Sequence, residues 1–163
     1  MYTQVKSKQG IGVKNPTKSN MFAEAKAADL SQFADVIDGS MDASACLVSY
    51  GQVPDKVKTA LEAAMKALGF TTVYVNCAGH FEVDGGDKNL FACLEGIDPV
   101  VMIVVDEWAA ALVGKAYKMP LPLDKKVRIM GRDAVVFTSF EGDLEDKAKK
   151  QRDWALMKAL GRS

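Results

Sequence analysis

Cysteine is scarce in this chain, and what there is does not pair. Cys46, Cys77 and Cys93 are odd in number and form no Cys-x-x-Cys motif, which argues against a disulfide framework and against a four-thiolate metal site made by one chain. Buried free thiols are the expectation. An excess of charge of either sign is also missing: Lys+Arg and Asp+Glu are 21 each, so the whole molecule exerts no long-range pull on phosphate backbones or anionic lipid. Long apolar runs are lacking too. The longest, Pro99 to Val105, is far too short for a bilayer, and the first residues carry lysines but no apolar signal segment. A cytoplasmic protein without a membrane partner is therefore expected. No glycine-rich phosphate loop is found, because Gly85-Gly86 follows no strand and Gly10-Ile11-Gly12 precedes any recognisable one. Internal repeats and low-complexity tracts are absent as well.

What the chain has is the balance of a folded domain, with 48% hydrophobic and 26% charged residues over 163 positions. Residues 1–19 hold Lys6, Lys8, Lys14 and Lys18, no acid, and the breakers Gly10, Gly12 and Pro16. They read as a flexible basic arm able to contact nucleic acid. Residues 20–163 read as one α/β domain. A helical pattern runs from Asn20 through Phe33 and Ile37 to Gly39. Ala45 to Tyr50 predicts a strand, and Pro54 opens a helix with Val57, Leu61, Ala64 and Leu68 inward before Gly69. Further strands follow at Thr72–Asn76 and Pro99–Val105, separated by a short helix through Leu90 and Leu94. Asp106 caps the next helix, Val127–Met130 and Ala134–Thr138 flank Gly131 as a hairpin or a bent strand, and a last helix spans about Asp143 to Leu160 with Leu144, Ala148 and Ala155 inward.

Strands alternating with helices predict a three-layer α/β/α sandwich on a mostly parallel four-stranded sheet. Ligands of such sheets bind beyond the carboxyl ends of the strands, which places Gly51, Gln52, Asn76, Asp106, Ser139 and Phe140 at the candidate crevice. Asn76 offers an amide donor and acceptor to a ligand edge, or else caps its own loop. Phe140 stacks on a base or packs in the core. His80, the single histidine, is either a general acid or base at the crevice or a surface residue. Glu82, Asp84 and Asp87 beside it lack ligand spacing, so no metal is expected. Trp108 and Trp154 fall on helices, where packing is the default.

Four segments in order resemble the uracil-DNA glycosylase superfamily, its bacterial iron–sulfur class above all. They are Leu68-Gly69-Phe70 leading to Val73-Tyr74-Val75-Asn76, Ile97-Asp98-Pro99 leading to Val105, Ala109 to Gly114, and Gly131 to Thr138 followed by Leu144 and Lys150 to Trp154. The resemblance covers roughly residues 54–160. It implies a glycosylase-like fold, with Asn76 in the place of the asparagine that reads the uracil edge. The departures bear on activity. The loop that carries a water-orienting residue is missing after Gly51, leaving Asp55 as its substitute or as a complement to the helix dipole. Phe140 stands where the resemblance calls for a histidine that stabilises the departing anion, a loss that would cost about a hundred- to a thousandfold in rate. Cys77 and Cys93 match two of the four cluster cysteines in spacing, and the other two have no counterpart, so no iron–sulfur cofactor is expected.

The resemblance thus implies a protein that has lost or changed catalysis and acts by binding nucleic acid or a DNA-processing protein. The psi subunit of the bacterial replicase clamp loader is the non-enzymatic precedent on this fold. Two alternatives stand beside it. One is a divergent glycosylase using Asp55 or His80 with Asn76, and the other a flavodoxin-like domain that binds a small ligand.

Overall fold

The computed structural model describes residues 18–161, and the chain divides into two compact units, Met1–Ser31 and Gln32–Ser163. In the first, α1 (Lys18–Leu30) is a helix whose end is followed by Ser31, with its hydroxyl donating back to the Ala28 carbonyl at 2.8 Å. Lys6, Lys8 and Lys14 lie outside the described residues, and Lys18 is the first residue of α1.

The second unit is a six-stranded mixed sheet, not the four-stranded one expected from the sequence, in the order β1-β3-β2-β4-β6-β5. Its strands are β1 (Ile37–Gly39), β2 (Ala45–Ser49), β3 (Thr72–Asn76), β4 (Val101–Val104), β5 (Lys125–Ile129) and β6 (Arg132–Val136). The four inner strands run parallel, and the additions are antiparallel edges. The helical pattern from Asn20 stops at Leu30, and Ile37–Gly39 is β1. Gly39 explains the pairing: at φ +119° a Cβ there would lie 2.9 Å from the Thr72 carbonyl oxygen and 3.1 Å from Val73 Cα, so only glycine lets β1 close on β3. On the other edge, Met130-Gly131 joins β5 to β6 with both residues at positive φ, the hairpin that the two apolar runs around Gly131 suggest.

Every residue of β2 and β4 is buried, as a strand covered on both faces requires. Ala45, Leu47, Ile103 and Val135 pack under α2 (Asp55–Leu68) and α6 (Lys147–Leu160), whose Val57, Leu61, Met65, Met157 and Leu160 complete that core. The alternate residues Cys46, Val48, Met102 and Val104 are equally buried and face the other side, where α3 (Gly86–Ile97) and α4 (Glu107–Tyr117) pack against each other. The last helix is two: Ser139 caps α5 (Phe140–Asp143) and Asp146 caps α6 by accepting from Lys149 N. Ala148 and Ala155, expected inward, are exposed, while Asp153, Met157 and Leu160 are buried. No helix among the described residues is long and apolar enough to cross a membrane.

Candidate functional site at the carboxyl ends of the strands

The connection through α2 leads from β2 to its neighbour β3 on one side, and the return through α3 leads to β4 on the other. Chain direction therefore reverses between the carboxyl ends of β2 and β4, the switch point where open α/β sheets leave a crevice. Two adjoining hollows open there and share Ser49, Gly51, Gln52 and Val53. One of about 370 Å³ is lined by Asp35, Asp38, Asp55, Lys58 and Asn76, among others. The other, about 120 Å³, is bounded by Val57, Val105, Asp106, Ser139 and Glu141.

The hollows form because the chain turns sharply after β2. Gly51 at φ +91° makes that turn in a region costly for other residues, and its N–H donates to Asn76 Oδ1 at 2.9 Å. Asn76 Oδ1 also accepts from Ala78 N at 3.0 Å. The amide thus ties the ends of β2 and β3 together, which is the loop-capping alternative read from the sequence. Its NH2 is the part it can offer a ligand in the larger hollow. Asp106 acts in the same way across the switch point: Oδ1 caps α4 by accepting from Ala109 N at 2.8 Å, and Oδ2 accepts from Tyr50 N at 2.9 Å.

Of the site residues expected from the sequence, Gly51 and Gln52 line both hollows, Asn76 and Asp55 share the larger, and Ser139 lines the smaller. Ser139 is engaged as a cap, its Oγ accepting from Gly142 N at 3.0 Å. Phe140 takes the core-packing alternative rather than the base-stacking one: it is only 3% exposed, its ring tilted against Phe137 with centroids 5.2 Å apart. The first turn of α5 folds it back over the sheet. His80 lines neither hollow and sits on an exposed turn, its ring against Phe81 at 4.8 Å and Phe33 at 6.0 Å. Ser49 is buried and donates its hydroxyl proton to the Gly51 carbonyl at 2.8 Å. The three cysteines are free and buried. Burial pushes the thiols of Cys77 and Cys93 up to about 12 and raises Cys46 as well, which keeps all three protonated and poor as ligands or nucleophiles.

Sequence reasoning missed the aromatic rim. Trp108, on the first turn of α4, is 65% exposed and Tyr50 is 40% exposed, their rings tilted with centroids 6.4 Å apart. The helical spacing of Trp108 gave packing as its expected role, and nothing local in the sequence reports that this position turns outward. The Tyr50 hydroxyl donates to Glu82, 2.9 and 3.0 Å from its two carboxylate oxygens, and Glu82 Oε1 also accepts from Gly79 N at 2.6 Å. Together with Asp35, Asp38, Asp55, Asp106, Glu107 and Glu141 this makes the crevice and its surroundings acidic. Lys58, the lysine of the larger hollow, is paired with Asp38 at 3.2 Å. The chain matches no protein-family model and no curated protein.

Proposed function

We propose that this protein is a non-catalytic binding domain of glycosylase-like design, and that the rim of its crevice receives an arginine-bearing segment of a protein partner. The observation that carries this reading is the pair Tyr50 and Trp108, exposed side by side, with the Tyr50 hydroxyl on the Glu82 carboxylate and Asp106 and Glu141 lining the same hollow as Tyr50. A guanidinium is the side chain that stacks on an indole face and pairs with carboxylates at once. The same carboxylates repel phosphate, which disfavours nucleic acid at this edge of the sheet. Polar groups of the crevice that would serve glycosidic cleavage are engaged elsewhere, Asn76 Oδ1 by two backbone N–H groups and Ser139 by its own helix. The psi-subunit precedent lends support by analogy of fold alone.

Calorimetric titration of the full chain with hexaarginine, hexalysine and an oligothymidylate tests the proposal. Hexaarginine is expected to bind several-fold more tightly than hexalysine, with Trp108→Ala and Glu82→Gln each weakening it and salt weakening it further. Equal affinity for the two peptides in wild type and Trp108→Ala would overturn the role of the rim. Tight binding of the oligothymidylate in its place would favour a nucleic-acid ligand.

One observation favours a second reading, the divergent glycosylase: Asn76 and Asp55 line one hollow of about 370 Å³, a size that fits a small ligand. An amide for the base edge and a carboxylate for water would then share a wall, with Lys58 as the nearby cation.

A further inference from the structure

Three carboxylates outside the crevice converge from three elements. Asp124 precedes β5, Asp143 ends α5 and Asp153 lies within α6, and each brings one oxygen within 4.8 Å of the other two. Arg152 Nη2 reaches all three, at 3.2 Å from Asp124, 2.9 Å from Asp143 and 3.1 Å from Asp153. Thr138 steadies Asp124, its N–H and hydroxyl donating at 3.1 and 2.8 Å. The Asp153 side chain is 1% exposed, and its Oδ1 accepts from Arg152 Nε and Nη2. Its Oδ2 is fully buried with no hydrogen-bond partner. A buried carboxylate oxygen without a partner is costly, and a single Arg152 nitrogen serves all three carboxyl groups.

We infer that Asp124, Asp143 and Asp153 form a site for a hard divalent cation of the Mg2+, Mn2+ or Ca2+ class, which takes the place of the Arg152 guanidinium among the carboxylates. The donor set is all oxygen, with no thiol or imidazole, which selects that class over zinc or copper. A divalent ion brings the second positive charge and a ligand for Asp153 Oδ2. Oxygen ligands of such ions stand at about 2.0–2.6 Å, so the carboxylates close in slightly from where the guanidinium nitrogen holds them. Arg152 has a way out, its side chain being 39% exposed, and Asp124, at 27%, leaves a side open for water to complete the coordination.

The test is a titration of the full chain, stripped with EDTA, with Mn2+ read by electron paramagnetic resonance. One Mn2+ per chain is expected, displaced by Mg2+ and by Ca2+. Asp153→Asn and Asp124→Asn should each weaken it at least about tenfold, the lower bound for losing even an outer-shell partner of a metal. Arg152→Gln should tighten it, and Asp146→Asn, which keeps the α6 cap, should leave it unchanged. Circular dichroism establishes that each variant is folded, and Asp124→Asn keeps the test decisive where Asp153→Asn is not. Wild-type protein that binds no stoichiometric Mn2+, binding that survives both aspartate substitutions, or weaker binding by Arg152→Gln would overturn the inference.

Discussion

Asn76 illustrates how one side chain can be read correctly as important and incompletely as to why. A polar amide at a strand end is visible in the sequence, but whether it faces a ligand or its own backbone depends on where Gly51 lies, which only the fold decides. Because Oδ1 accepts from Gly51 N and Ala78 N, Asn76→Ala leaves two donors without a partner and should cost about 2 kcal/mol in urea unfolding, while Asn76→Asp keeps both bonds and should cost less. The cysteines give a second prediction at this scale. With all three thiols buried and protonated, a thiol reagent such as DTNB should label none in the native protein and all three after unfolding. Fast labelling of Cys77 or Cys93 in the native state would contradict that burial. Trp108 and Asp153 were illegible for complementary reasons. The first sits at helical spacing yet is exposed, and the second is buried directly after the stretch Lys147 to Arg152, which reads as a solvated basic face.

At the scale of elements, the sequence shows most clearly those with a strong period or a hard stop. Helix α2 shows its stripe and its Gly69 end, where Phe70 N donates to the Met65 carbonyl at 2.9 Å, and the inner strands show as unbroken apolar runs. Strand β1 was hidden because Phe33 and Ile37 stand one helical turn apart and because a three-residue edge has no period of its own. Helix α3 and strand β6 are joined by Arg132, 8% exposed, whose guanidinium pairs with Glu95 and Asp98 and donates from Nε to the Pro99 carbonyl at 3.0 Å. Replacing Arg132 with Met should cost about 3 kcal/mol, since the Pro99 carbonyl loses its donor and the half-buried Glu95 carboxylate is left with the Tyr117 hydroxyl in place of its cation. Burial pushes the Glu95 carboxyl up, but Arg132 and the Tyr117 hydroxyl outweigh it and hold it below its ordinary 4.5. A depressed carboxyl stabilises fully above its unfolded value and loses that contribution as pH falls through the folded one. The stability gap between wild type and Glu95→Gln should therefore shrink as pH is lowered from about 5 to about 3, as followed by denaturant titration at each pH.

For the whole molecule, a net charge of zero conceals an uneven surface. Carboxylates gather at the carboxyl ends of the strands around Tyr50 and Trp108, while lysines and arginines concentrate on β5 and α6. The balanced totals were legible in the composition, but their segregation was not, because it depends on which strand ends the topology brings together. That arrangement is suited to holding a cationic segment. The most direct measurement is an excision assay in which single- and double-stranded oligonucleotides containing uracil are incubated with wild type, Asn76→Ala and Asp55→Ala, then treated with alkali to cleave abasic sites. No shortened strands are expected from any of the three proteins. Robust cutting by the wild type that both substitutions abolish would contradict the binding reading and establish a glycosylase acting through Asn76 and Asp55.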